Sequence, residues 1–203
     1  MLKSSARQIA AAACAVLLIA VGLSGCGINT IPTQDEQVKA AWSQVLNEYQ
    51  RRTDLVPNLV ATVKGYAKQE QTVLTQVIQA RAKATQTTVN LPSDVTSNPE
   101  AFQKFEQSQA GLTQALGRLM VVVERYPDLK SNQNFMVLQS QLEGTENRIA
   151  VARRDYIQAV QTYNTTLRTI PQRWYASMFY PDAKVKQTFT ISEQAQQAPH
   201  VTF

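Results

Sequence analysis

Apolar residues recurring every three or four positions over some fifty residues constrain this chain more than any other feature of its sequence. From about Gln34 to Ala84, Trp42, Val45, Tyr49, Arg52, Val56, Leu59, Val63, Tyr66, Glu70, Val73, Val77, Ala80 and Ala84 fall on one stripe, and Leu46, Val60, Ala67, Leu74 and Ile78 widen it. This is the period of a core-facing helix and not of a strand. At 1.5 Å per residue the segment predicts a helix about 75 Å long. Pro57 interrupts the hydrogen-bond ladder, yet the stripe keeps its phase across it, which predicts a kink there and not a reversal. The alternative is that Asp54 caps a separate helix, with Pro57 harmless in its first turn.

Residues 85–99 are rich in Thr, Ser, Asn and Pro and read as a loop. A second stripe follows, through Phe102, Phe105, Gln109, Leu112, Leu116, Leu119, Val123 and Tyr126, and Pro127-Asp128 stops it. A third runs from about Asn132 through Phe135, Leu138, Leu142, Thr145, Ile149, Ala152, Tyr156, Ala159, Tyr163 and Thr166 to Pro171. Matching stripes joined by short connections predict an all-α fold: an elongated antiparallel bundle of three to four long helices, with helix 1 kinked at Pro57 and a short C-terminal extension. The bundle spans 34–189. Its segment 172–189 is expected to pack back, partly helical and then extended, and 190–203 forms a flexible tail.

The N-terminus reads as an address. Lys3 and Arg7 precede an uncharged run from Gln8 to Gly22, and Leu23-Ser24-Gly25 precede Cys26. A basic start, apolar middle and small-residue end are the pattern of a secretory signal. The last four residues resemble a bacterial lipobox, so residues 1–25 are expected to be a lipoprotein signal peptide, Cys26 the lipidation site, and 26–33 a lipidated tether. Several acyl chains hold a protein stably, at about 0.8 kcal/mol per buried methylene. The alternative is a single-pass N-terminal inner-membrane anchor, for which the run is at the short limit. Cleavage removes Lys3 and Arg7, leaving 18 basic residues against 15 acidic ones and turning a net charge of +5 into +3. That charge and an exported location leave no case for nucleic acid.

The sequence offers little chemistry. Lys64-Gly65 lacks the rest of a phosphate loop, there is no Gly-x-Ser-x-Gly elbow, and the single histidine, His200, lies in the tail. Glu143 and Glu146 share a helix face at i, i+3, but the histidine that usually completes a bundle metal site is missing. They read as salt-bridging or hydrogen-bonding residues. No catalytic residue, metal or cofactor is expected.

One set of motifs is specific. Residues 51–60 (RRTDLVPNLV) with 63–67 (VKGYA), residues 124–130 (ERYPDLK), Asn134-Phe135, residues 142–149 (LEGTENRI), residues 152–156 (ARRDY) and Tyr163-Asn164-Thr165 stand in an order that resembles the LemA family. The resemblance covers about residues 28–189. Gln69 stands where relatives often carry His, and Ile157 where Asn often follows the Tyr. The resemblance implies an all-α bundle displayed outside the cytoplasmic membrane and supplies no enzymatic activity, the family having no agreed biochemical function; magnetosome-associated relatives imply membrane organisation rather than catalysis.

The resulting expectation is a non-enzymatic envelope lipoprotein that presents its bundle to an unidentified envelope protein and touches membrane lipid through acylated Cys26. In a two-membrane cell, Gly27 in place of a retaining Asp predicts the outer membrane, facing the periplasm. The alternative is a binding module for a small or peptide ligand near the level of Pro57 and Tyr126-Pro127. Arg51, Asp54, Asn58, Tyr126, Asp128, Lys130, Asn132 and Asn134 are the candidate interaction surface. Charge register predicts further contacts. A hairpin centred in 85–99 pairs Lys64 with Glu124, Glu70 with Arg118 and Arg81 with Glu106, whose numbers add to 187 or 188. Around the Pro127 turn, Arg153 would meet Glu106 and Glu143 would meet Arg118. This gives two bridged layers, Arg81/Glu106/Arg153 and Glu70/Arg118/Glu143.

Overall fold

A computed structural model describes residues 27 and 29–190. The expected signal peptide, Cys26 and most of the tail lie outside the described residues. Within them the chain is all-α, with no strand. Helix α1 is Thr30–Tyr66, α2 Gln71–Val89, α3 Pro99–Val123, α4 Pro127–Lys130, α5 Gln133–Arg168 and α6 Gln172–Phe179. Thirty-seven residues make α1 about 55 Å long.

The expected single helix over 34–84 is two helices. The chain passes unbroken through Pro57 and reverses ten residues later. Ala67 donates to the Val63 carbonyl, Glu70 to that of Ala67 and Leu74 to that of Glu70, so four residues, 67–70, separate α1 from α2. Asp54 does not cap a helix; it lies exposed on α1, where its carboxylate accepts from Gln50. The stripe hid the turn because Val63, Ala67, Leu74 and Val77 stay buried across it. A three-four period reports which side is buried, not which way the chain runs.

The result is an up-down-up-down bundle in which α1 packs along α5, α2 along α3, and α1 against α2. Trp42 with Tyr156, Glu48 with Arg148, Arg52 with Glu146 and Tyr66 with Asn132 mark the α1–α5 seam, their numbers adding to 196–198. Asn98 caps α3 and Asn132 caps α5, each accepting from the backbone three residues on. Proline follows at the first position of α3, where its missing N–H costs nothing. The expected tether is shorter than 26–33, because α1 begins at Thr30 with Pro32 in its first turn.

Two apolar cores lie along the axis. One gathers Val63, Leu74, Leu119, Leu129 and Phe135 near the turn end. The other surrounds Trp42, whose ring centroid lies 5.1 to 6.1 Å from those of Phe102, Phe105, Tyr156 and Phe189. Phe189 reaches that core on an extended strap after α6. The Tyr156 hydroxyl donates to the Gln187 carbonyl at 2.8 Å, and Asn164 holds Lys186 through both its backbone N–H and its carbonyl.

Candidate functional site

Between the two cores sits a buried cation. Arg52 is 1% exposed. Its Nη1 donates to Glu146 at 3.0 Å and to Thr113 at 2.8 Å, and its Nη2 donates to the Gln109 side chain at 2.8 Å and carbonyl at 3.2 Å. Gln109 passes the chain on to Thr88 at 3.3 Å. Beside it Arg81 Nε donates to the Thr53 carbonyl at 2.9 Å. One layer therefore ties all four long helices, and Arg148 adds a second bridge to Glu48 at 3.0 Å. Burial of the Tyr49 ring below Arg52 pushes its hydroxyl pKa up. Arg52 is the buried member of this ion pair, while the Glu146 side chain is 41% exposed and solvent screens it.

The expected charge layers are not these. Glu70 pairs with Arg125 at 3.0 Å and accepts from the Tyr126 hydroxyl at 3.1 Å, not from Arg118. Arg118 donates to Gln76, Glu143 accepts from Gln139, and Glu124 pairs with Lys130 at 2.6 Å. Lys64 is exposed and forms no ion pair among the described residues. Arg81 is taken by Thr53 and not by Glu106. Contacts between α2 with its N-cap Glu70 and α3 with the turn after it add to 194–197, about seven above the expected 188. A slide of one heptad leaves both apolar stripes facing each other, so the pattern does not distinguish the two registers. Arg153 comes within electrostatic reach of Glu106, whose pKa burial raises and Arg153 lowers, while its guanidinium stacks 4.3 Å from the Phe189 ring.

The candidate interaction residues do not converge. Tyr126 and Asn132 lie at the turn end, where Asn132 donates to the Tyr66 hydroxyl at 2.8 Å, with Asp128, Lys130 and Asn134 exposed around them. Arg51, Asp54 and Asn58 are exposed on α1. Asn58 lies eight residues before Tyr66, about 12 Å along the axis. The expected ligand pocket at the Pro57/Tyr126 level is not formed by these groups. A hollow of about 120 Å³ near that end is lined instead by residues of α3, α4 and α5, among them Met120, Phe135 and Glu143.

The larger concavity is at the opposite end, an open cleft of about 870 Å³. The first turns of α1, the loop between α2 and α3, and the strap 179–186 form its walls. Trp42, Leu46 and Leu91 supply an apolar floor, with Asp35, Lys39 and Lys186 at the side. Asp35 accepts from Lys186 at 2.8 Å and Lys39 at 2.9 Å. Burial opposes its ionisation, but these two cations outweigh burial and hold the carboxyl below its ordinary range. Burial, with Asp35 nearby, pushes the Tyr163 hydroxyl up to about 12. Sequence reasoning missed this cleft. Asp35 and Lys39 look like an ordinary i, i+4 surface pair, and Lys186 is distant in the chain. Among the described residues no group of His, Cys, Asp and Glu is arranged to hold a metal.

An up-down-up-down bundle crossed by an arginine layer, with an open cleft at one end, places the chain in the all-α helical-bundle class. The chain belongs to the LemA family, whose model matches residues 41–203. It is similar to magnetosome protein MamQ 2 of Paramagnetospirillum magneticum, at 29% identity over 73% of this chain and 60% of that protein. Similarity to MamQ of Magnetospirillum gryphiswaldense is 25% with the same coverage. Similarity to Protein LemA of Metamycoplasma hominis is 22%, over 70% of this chain and 59% of that one. The chain thus spans about 60% of the length of the curated relatives it matches.

Proposed function

We propose that this chain is a membrane-anchored envelope protein that acts without catalysis and holds a segment of a partner protein in its end cleft, beside the bilayer. One observation carries the reading. The cleft opens at the end of the bundle where Gly27 starts the described chain, one residue after the lipobox cysteine and five after the apolar run 8–22. Anchor and concavity therefore share an end, while the turn around Pro127 points away along a helix about 55 Å long. Acylation of Cys26 supplies the attachment, and Gly27 favours the outer membrane of a two-membrane cell. Relatives named as magnetosome proteins fit an organising role.

Photocrosslinkers placed at Ser43 and Asp94, on the cleft, and at Asp128 and Lys130, on the far turn, test the site in intact cells. Adducts at the first two support it; adducts confined to the turn move the partner surface there. Cys26→Ser should abolish acyl labelling. Persistent labelling puts the acyl chain on a residue other than Cys26, and Met1 retained in the mature protein makes the anchor a spanning helix; either overturns the lipid attachment at Cys26.

A further inference from the structure

Helix α6 exposes apolar surface that the bundle does not use. Trp174 is 62% exposed and Met178 74%, one turn apart on the same face, and Ile170 just before the helix is 63% exposed. The other side is engaged at Ala176, which packs against the Trp42 core, while Tyr175 stacks within the helix on Phe179, itself 52% exposed. Basic residues flank the ridge, since Arg168 and Arg173 are exposed and no acidic residue occurs between Arg168 and Pro181. Position identifies what covers it. Gly27 lies against α6, its ideal Cβ position 3.4 Å from Tyr175 Cε2. The chain that leads back to Cys26 and the uncharged run 8–22 therefore starts beside this helix.

We infer that α6 is a lipid-contacting element: the ridge of Ile170, Trp174 and Met178 lies in the headgroup region of an anionic bilayer, next to the N-terminal anchor. The inference rests on the membrane attachment proposed above. Tryptophan favours that depth because its ring is apolar and its indole N–H keeps a polar partner. Arginines reach phosphate while their stems cover apolar surface. Eight residues bury too little area to bind alone, but a second contact beside an existing anchor acts at high effective concentration. It also fixes the tilt of the bundle, so that the end cleft faces along the membrane.

Two tryptophans make the test direct, because Trp42 is buried and Trp174 is not. The full chain is reconstituted into phosphatidylethanolamine/phosphatidylglycerol vesicles carrying acyl chains brominated near the headgroup. Flotation reads attachment, and quenching reads α6. Floating protein that loses most of the Trp174 share of its emission supports the inference, and Trp174→Phe should leave only unquenched Trp42 emission. Floating protein with Trp174 unquenched overturns the inference and leaves attachment standing. Failure to float overturns both. A Trp174 blue shift that grows with the protein-to-lipid ratio, without quenching, puts a second copy on the ridge and overturns the inference as well. Arg173→Glu should weaken quenching in anionic vesicles and change little in zwitterionic ones.

Discussion

Arg81 donates from its Nε to the backbone carbonyl of Thr53 at 2.9 Å, across the α1–α2 seam. Thr53 is the residue four before Pro57, so its carbonyl is the acceptor that proline leaves without an intrahelical donor. The arginine of the returning helix replaces that bond. The acceptor that Pro57 leaves open within α1 is thus satisfied by tertiary structure, from a side chain 28 residues away.

This relation predicts coupling. Arg81→Met should cost about 1–2 kcal/mol, since it orphans a partly buried carbonyl. Pro57→Ala restores an N–H to the same acceptor, so the arginine substitution should cost distinctly less in that background. Urea unfolding of the four proteins of the cycle measures it. Additive effects would show that the two residues do not share Thr53.

Arg52 should behave as a cross-brace. Arg52→Ala removes the guanidinium from Glu146, Gln109 and Thr113 and empties buried volume, for a loss of about 3–5 kcal/mol. Arg52→Met keeps most of the volume and should cost clearly less. Glu146→Gln should cost only about 1 kcal/mol, because that side chain is 41% exposed and solvent already screens the pair. Equal losses for Arg52→Ala and Arg52→Met would contradict the packing part of this account.

The strap after α6 hangs on one ring. Phe189→Ala vacates the Trp42 cluster and should destabilise by about 3–5 kcal/mol if the strap stays in place. Release of the strap limits the loss, exposes Lys186 and frees the backbone around Lys184, whose side chain is already exposed. Limited tryptic digestion should then cut at these lysines faster than in the parent chain, while circular dichroism retains the helices. Unchanged cleavage together with unchanged stability would remove Phe189 from the core.

Acid should act through Asp35. Its folded pKa is depressed, so the unfolded chain binds the proton more readily than the folded one. The contribution is complete above the ordinary value of 3.8 and disappears as pH falls through the lower folded value. The stability advantage over Asp35→Asn should therefore be constant from neutral pH to about 5 and shrink below about 4. An advantage that survives full acidification would place the effect outside Asp35 ionisation.

The helical class and the inward side of each helix were legible in the sequence, but the helix boundaries were not: α1 ends at Tyr66, and α2 runs on to Val89, into the segment 85–99 expected to be a loop. The stripes through Trp42, Leu119 and Tyr156 record burial directly, while Pro127, expected to stop a helix, instead opens α4 at its first position after α3 has already ended at Val123. Direction and register follow from tertiary packing. The reversal at 67–70 interrupts no stripe, since Val63, Ala67 and Leu74 face the same core before and after it. The α2–α3 register differs from the charge-based one by about a heptad, a slide that returns the same stripe to the same seam. The cleft was invisible for a different reason: Asp35, Leu91 and Lys186 are polar or loop residues with no shared period. They meet because four helices of unequal length leave space at one end, and the difference in length follows from where α1 turns back.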